Sequence, residues 1–289
     1  MIASHERHMD DVLRARLHLA GDAKLRLGLL RGAIGAADGA SRLLFGKPFF
    51  ALRESEALLS RLAEVAKDEL VTTVLGLDGG TTILPHGLEH VPPTGPVVIA
   101  STHPTGMFDF VAHAAALGAV RRDLRVVANQ EAAAFLGPDM IVPVRIDREN
   151  RAISTKPVFT AMQAHLGQGG ALLIFGSGRV PHRRNGQLVE PAWRSGATRI
   201  SELTGAPVIP AAPDARNSRY YYRLRSAAQA LGGGDDNIGA MVASLRYAAE
   251  LLEKLGGRYD IHYGPALPPG TSPEALKAAA EGLVPGLYG

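Results

Sequence analysis

From Leu70 onward the chain alternates short apolar, β-rich runs with stretches of helical spacing, a rhythm that few folds accept. The runs are VTTVLGL (71–77), PVVIAS (96–101), LRVVA (124–128), MIVPVRI (140–146), ALLIF (171–175), APVIPAA (206–212) and YDIHYG (259–264). Helical patterns lie between them near 108–119, 154–168, 191–204 and 238–255. This order predicts an α/β fold, with a mostly parallel or mixed central sheet and helices on both faces. Runs that are apolar throughout fit central strands covered on both sides. GGGDDN (232–237) reads as a loop, and no internal repeat is visible.

The first part of the chain has a different pattern. From Asp10 to Lys67, Leu and Ala recur at helical spacing, broken by Gly32, Gly35, Gly39 and the FGKPFF turn (45–50). The expected organisation is a helical segment over 1–69 followed by an α/β domain over 70–289. Residues 1–53 hold nine Lys/Arg against five Asp/Glu, which exceeds the whole chain's net charge of +3. Lys24, Arg26, Arg31, Arg42 and Lys47 are interleaved with Leu, Ile and Phe. That mixture suits a helix lying on an anionic lipid surface, and it suits a helical cap on the main domain equally well.

Composition narrows the function. A net charge of +3 gives no footprint for nucleic acid. The absence of cysteine removes thiolate nucleophiles and thiolate metal sites. His86 and His90 in HGLEH are interrupted by Gly87 and followed by VPP, which argues against a metal-binding helix, so no metal site is expected. No apolar stretch reaches the roughly 18 to 20 residues of a membrane span. MIASHERHMDD lacks the apolar core of a signal peptide. The expectation is a cytoplasmic protein, peripheral at the inner face of the membrane.

Reactive groups in α/β sheets gather beyond the carboxyl ends of strands. His103 follows PVVIAST there, Pro104 and Gly106 make a tight turn, and Asp109 enters the helical pattern MFDFVAHAAAL. A carboxylate on one ring nitrogen would fix the tautomer and leave the other free to take a proton. Alternatively, His103 is a turn residue and Asp109 an acid favoured at a helix start. The residues alone leave both open. The turn FGSGRV (175–180) offers close backbone approach at Gly176 and Gly178 and a guanidinium at Arg179, or is a plain bend after a strand.

Taken in order, five segments resemble the glycerolipid (lysophospholipid) acyltransferase family. HPTGMFD is similar to its histidine–aspartate motif in the branch reading HP, any residue, G, any two, D. MIVPVRIDR (140–148) resembles the second block and ALLIFGSGRVPHRR (171–184) the third. WRSGATRISELTGAPVIPAAP (193–213) resembles the stretch ending in the fourth, and ARNSRYYYRL (215–224) an Arg-Asn-Ser segment of that branch. The resemblance covers about residues 75–265.

It implies acyl transfer from a thioester of acyl carrier protein or coenzyme A to a hydroxyl of a lipid-like acceptor, with no bound cofactor. His103 would be the general base and Asp109 its orienting carboxylate. Gly106, Arg145, Arg148, Gly176, Ser177, Gly178, Arg179, Asn217 and Ser218 would bind substrate. For Arg145 and Arg148 a surface ion-pair cluster with Asp147 and Glu149 is an equal reading, and Asn217 and Ser218 also suit a plain turn. His182, Arg183 and Arg184 read as a solvated basic loop. Where the family commonly has Phe-Pro-Glu-Gly, this chain has Phe175, Gly176, Ser177, Gly178, so the third-block glutamate is missing and the acceptor is open. Alternatives are a thioesterase-type hydrolase using the same pair on water and a non-catalytic lipid-binding relative.

Overall fold

The computed structural model describes residues 9–14, 16–17, 19–66, 68–144 and 155–289. The chain divides into two compact units, Val74–Arg216 with Gly256–Gly289, and Met1–Thr73 with Asn217–Leu255.

The first unit is α/β. Its strands are β1 (Thr82–His86), β2 (Val97–Ser101), β3 (Leu124–Asn129), β4 (Ile141–Val144), β5 (Ala171–Phe175), β6 (His182–Arg184), β7 (Gln187–Val189), β8 (Val208–Asp214) and β9 (Arg258–Tyr263). Seven form one sheet in the order β1-β9-β8-β2-β5-β3-β4, while β6 and β7 pair as a separate hairpin. Every neighbouring pair in the large sheet is parallel except β8 with β9. The expected mixed, mostly parallel sheet is therefore present.

The two faces of the sheet follow the two-residue period of its strands. Val98 and Ala100 of β2 and Leu172 and Ile174 of β5 pack with Met162, Leu166, Ile200 and Leu276, from helices Thr155–Gly167, Gly196–Thr204 and Pro273–Gly282. The alternate residues turn to the opposite face, where Ser101 meets His113 of helix Met107–Leu117. Helices thus cover both faces, and the central strand β2 is buried over its whole length.

Two expectations fail. The run 71–77 is helical over Leu70–Leu75, not a strand. Leu70 and Val74, four residues apart, are both buried, and burial of that helical face outweighs the β preference of Val and Thr. The boundary at residue 70 is also incomplete, because 217–255, expected in the α/β domain, groups with the N-terminal helices. One of the ties is a buried cation. Arg246, 1% exposed, donates to the Phe49 carbonyl, lies 4.6 Å from the Phe49 ring centroid and pairs with Glu250 and Glu253 at 3.1 Å.

In the helical unit, helix Lys24–Phe45 ends at Gly46 in the left-handed region (φ 73°), and helix Leu52–Leu62 follows. The entry to the second helix is held by Asp38 of the first. Its buried carboxylate accepts the N–H groups of Phe50, Ala51 and Leu52 at 2.5, 3.2 and 3.0 Å. We expect Asp38→Ala to lower stability by about 2 kcal/mol, because helix-start donors lose their acceptor without water replacing it. Urea denaturation followed by circular dichroism reads this directly, and an unchanged midpoint would contradict it.

Candidate functional site

β2 ends at Ser101, and the chain turns through Thr102–Gly106 into helix Met107–Leu117. Gly106 takes φ 83° and ψ −123°, which strongly favours glycine, and its carbonyl accepts the Asp109 N–H. Asp109, fully buried, returns the contact. Its Oδ2 accepts from the backbone N–H of Thr105 at 2.8 Å and of Gly106 at 3.0 Å, and its Oδ1 accepts from the Thr105 hydroxyl. Gly106 thus shapes the turn that holds Asp109.

His103 Nδ1 lies 3.0 Å from the same Oδ2, with the His103 side chain 18% exposed. The approach is within ion-pair range but off the axis of an aligned hydrogen bond. On its face the imidazole stacks against Phe175 at the end of β5, with centroids 4.0 Å apart and planes at 22°. His103 is thus approached by a carboxylate at Nδ1 and by a ring along one face.

Beneath this pair lies His113, fully buried. Its Nε2 is 2.9 Å from Ser101 Oγ and its Nδ1 2.9 Å from Tyr263 OH. Ser101 Oγ donates to the Thr102 carbonyl, so Nε2–H donates to Ser101 and Nδ1 accepts from Tyr263. Burial lowers its pKa to about 4, opposed by the charge of Asp109 and aided by that of His103. In the sequence it was one histidine on an apolar helix, with no spacing to single it out.

The turn after β5 differs from expectation. Gly176 N–H donates to the Ser101 carbonyl, Gly178 N–H to the Phe175 carbonyl, and Arg179 N–H to Ser177 Oγ, so these three backbone donors are already engaged. Gly176 is glycine for packing, since a Cβ there would lie 1.9 Å from Trp193 Cδ2. Gly178 and Arg179 are exposed, and the Arg179 guanidinium has no ion-pair partner among the described residues.

Ser177 is buried and donates to Glu190 Oε1 at 2.8 Å, and Trp193 Nε1 donates to the same oxygen at 3.1 Å. A carboxyl group therefore reaches the third-block turn from elsewhere in the chain. Burial raises its pKa to about 7, against the opposing hydrogen bonds of Ser177 and Trp193. The sequence reading missed Glu190 together with the hairpin before it, although a signal was present. Asn185-Gly186 is a two-residue hairpin turn with φ of 50° and 89°, joining β6 to β7. His182, Arg183 and Arg184 form strand β6 of that hairpin, not an open loop.

Among the described residues of the α/β unit, Thr102 Oγ1, His103 Nδ1, Glu190 Oε2 and Tyr288 OH are buried without an aligned hydrogen bond. Tyr288 feels the charges of both Asp109 and Glu190, so these atoms share one neighbourhood.

The remaining expected residues are placed otherwise. Arg145 and Arg148 lie outside the described residues. Asn217 and Ser218 belong to the helical unit, where internal bonds engage Ser218 Oγ and Asn217 Oδ1 while Asn217 Nδ2 is buried without a partner. Ser218 Oγ caps helix Arg219–Leu231 at Tyr221 N–H and donates to Glu250 Oε1 at 2.6 Å, while Asn217 Oδ1 accepts from Lys254 at 3.0 Å. Among the described residues no group of His, Asp or Glu has the geometry of a metal site.

An α/β domain carrying a histidine and a buried carboxylate beyond the carboxyl end of its central strand is the class of protein that fold and site define. The acyltransferase family profile matches residues 52–278, most of the chain, and the chain belongs to that acyltransferase family. A lyso-glycine lipid O-acyltransferase of Phocaeicola vulgatus is 25% identical over 183 residues, 63% of each chain, so the match spans less than two thirds of that relative. The crystal structure of the 1-acyl-sn-glycerophosphate acyltransferase PlsC from Thermotoga maritima superposes with a TM-score of 0.43 at 12% identity, covering 78% of this chain and 85% of that one.

His113 supplies a pH test. Its folded pKa of about 4 lies below the ordinary 6.5, so as pH falls below 6.5 the unfolded chain takes a proton that the folded one refuses. We expect stability to fall between pH 6.5 and about 4, by about 3 kcal/mol in total from this group. In His113→Gln that part of the slope disappears. Urea titrations at a series of pH values compare the two proteins, and identical slopes would refute the assignment.

Proposed function

We propose that the protein is an O-acyltransferase that moves a fatty acyl group from a thioester, of acyl carrier protein or coenzyme A, to the hydroxyl of a lipid-like acceptor. The observation that carries this reading is His103, with Nδ1 3.0 Å from the buried carboxylate of Asp109, its ring stacked on Phe175, and Nε2 left for chemistry. Family membership and the name of the Phocaeicola relative support the same reaction class.

In this reaction His103 Nε2 removes the acceptor's hydroxyl proton as its oxygen attacks the thioester carbonyl carbon. The C–O bond forms, the carbonyl electrons move to oxygen, and Asp109 stabilises the imidazolium. Collapse of the tetrahedral intermediate breaks the C–S bond, and the thiolate takes the proton back from His103. The products are an ester and a free thiol. The exposed Arg179 is available to the anionic part of the donor.

We expect His103→Ala and Asp109→Asn to fold and to lose about 10²- to 10⁴-fold in acyl transfer, the usual contribution of a general base. A radiolabelled acyl-thioester assay against a panel of hydroxylated lyso-lipids measures it. Parent-like rates in either variant would remove the pair from the mechanism.

We further propose that helix Lys24–Phe45 meets a membrane surface. Leu25, Leu29, Leu43, Leu44 and Phe45 are 63–87% exposed. Among the described residues no helix is long and apolar enough to cross a membrane. Arg31 pairs with Asp10 and Glu56, Arg42 with Glu54 and Lys47 with Glu253, so much of the local basic charge is neutralised internally. Apolar insertion then outweighs attraction to anionic lipid. We expect Leu43→Glu with Leu44→Glu to weaken partition onto phosphatidylglycerol vesicles by about tenfold or more, with only a modest effect of salt on the parent. Vesicle co-sedimentation decides, and parent-like binding of the double variant would exclude this face.

A further inference from the structure

Glu190, 4% exposed, keeps Oε1 for Ser177 and Trp193, while Oε2 is buried without a donor. It lines a cavity of about 440 Å³ together with Ala192, Trp193, Glu274, Lys277 and Glu281. Three carboxyl groups face one lysine there, and Lys277 is already paired with Glu281 at 2.7 Å. What is missing is a hydrogen-bond partner for Oε2, and the surplus of carboxyl groups in the lining favours one that carries positive charge beside an indole. The cavity adjoins the reactive centre through a single turn, since Phe175 stacks on His103 and Ser177, two residues on, donates to Glu190.

We propose that this cavity binds an ammonium group carried by the acceptor's head group, with Glu190 Oε2 as its principal acceptor. The proposal rests on the acyltransferase reading for the word acceptor, whereas binding of the cation stands apart from chemistry. An ammonium offers three donors, fills the open lone pairs of Oε2 and balances the surplus of carboxylates. A neutral hydroxyl would satisfy the hydrogen bond and leave the charge uncompensated, and a carboxylate would add to it.

Trp193 is the chain's single tryptophan, so its fluorescence reports on this cavity alone. In the full-length protein, titration with hexylammonium should give a saturable change that hexanol and hexanoate do not give. The same change should persist in His103→Ala, which removes chemistry. It should weaken by at least about tenfold in Glu190→Gln and in Glu274→Lys. The second variant alters an exposed position on the cavity rim and keeps the test valid if the first misfolds. In acyl transfer, a hydroxylated lyso-lipid with a terminal ammonium should show a lower KM than its N-acetyl derivative at similar kcat. An equal response to hexanol or hexanoate, no response to hexylammonium, or undiminished binding in Glu274→Lys would overturn the subsite. Hexylammonium binding with no acyl transfer to any acceptor would instead overturn the acyltransferase reading and leave the subsite standing.

Discussion

The carboxylate of Asp109 is the contact around which the site is organised. A fully buried carboxylate is costly unless its lone pairs are filled. Here the Thr105 N–H and hydroxyl and the Gly106 N–H fill them, and the start of helix Met107–Leu117 adds a favourable dipole. These bonds fix the turn after β2 and thereby the position of His103. The two readings of Asp109, helix-start acid and partner of His103, are not alternatives. One oxygen, Oδ2, serves both the turn and the histidine, so the geometry that begins the helix also aims the imidazole.

Two histidines lie within the field of this carboxylate, and the sheet makes them unequal. His113 sits on the covered face, bonded between Ser101 and Tyr263, and burial holds it neutral far below ordinary pH. A charged His113 would compete with His103 for the field of Asp109 and repel an imidazolium there. Kept neutral, it supports the floor of the site. The two-residue period of β2 produces this arrangement, since Val98 and Ala100 belong to one core and Ser101 to the opposite face.

Much of this was legible in the sequence, and what was hidden has identifiable causes. β2, β5 and β8 were readable as apolar runs because buried strands have little polar choice. The helix Leu70–Leu75 was not, since its residues favour strand and only tertiary burial of Leu70 and Val74 decides otherwise. His103 and Asp109 stood out because both fall just past a strand end. Glu190 did not, because it belongs to no local motif and meets Ser177 only through the hairpin turn at Asn185-Gly186. Asn217 and Ser218 were readable by type but not by use. Ser218 Oγ here caps a helix and binds Glu250, and Asn217 Oδ1 binds Lys254, while Asn217 Nδ2 has no partner.

The third-block turn explains why the missing glutamate is no simple deletion. Gly176 lies against the Trp193 indole, leaving no room for a Cβ, and gives its N–H to the Ser101 carbonyl. The common Phe-Pro-Glu-Gly turn would place a proline ring against that indole and remove the N–H that ties β5 to the end of β2. A glutamate at 177 would also bring a second buried carboxyl against Glu190, where one already requires two donors. Gly176, Ser177, Glu190 and Trp193 are therefore one interdependent set: the small residues at the turn make space for Trp193, and Trp193 helps hold the carboxyl that arrives from the hairpin. Restoring the family's usual turn without changing Trp193 and Glu190 would destabilise the very strand end that presents Phe175 to His103.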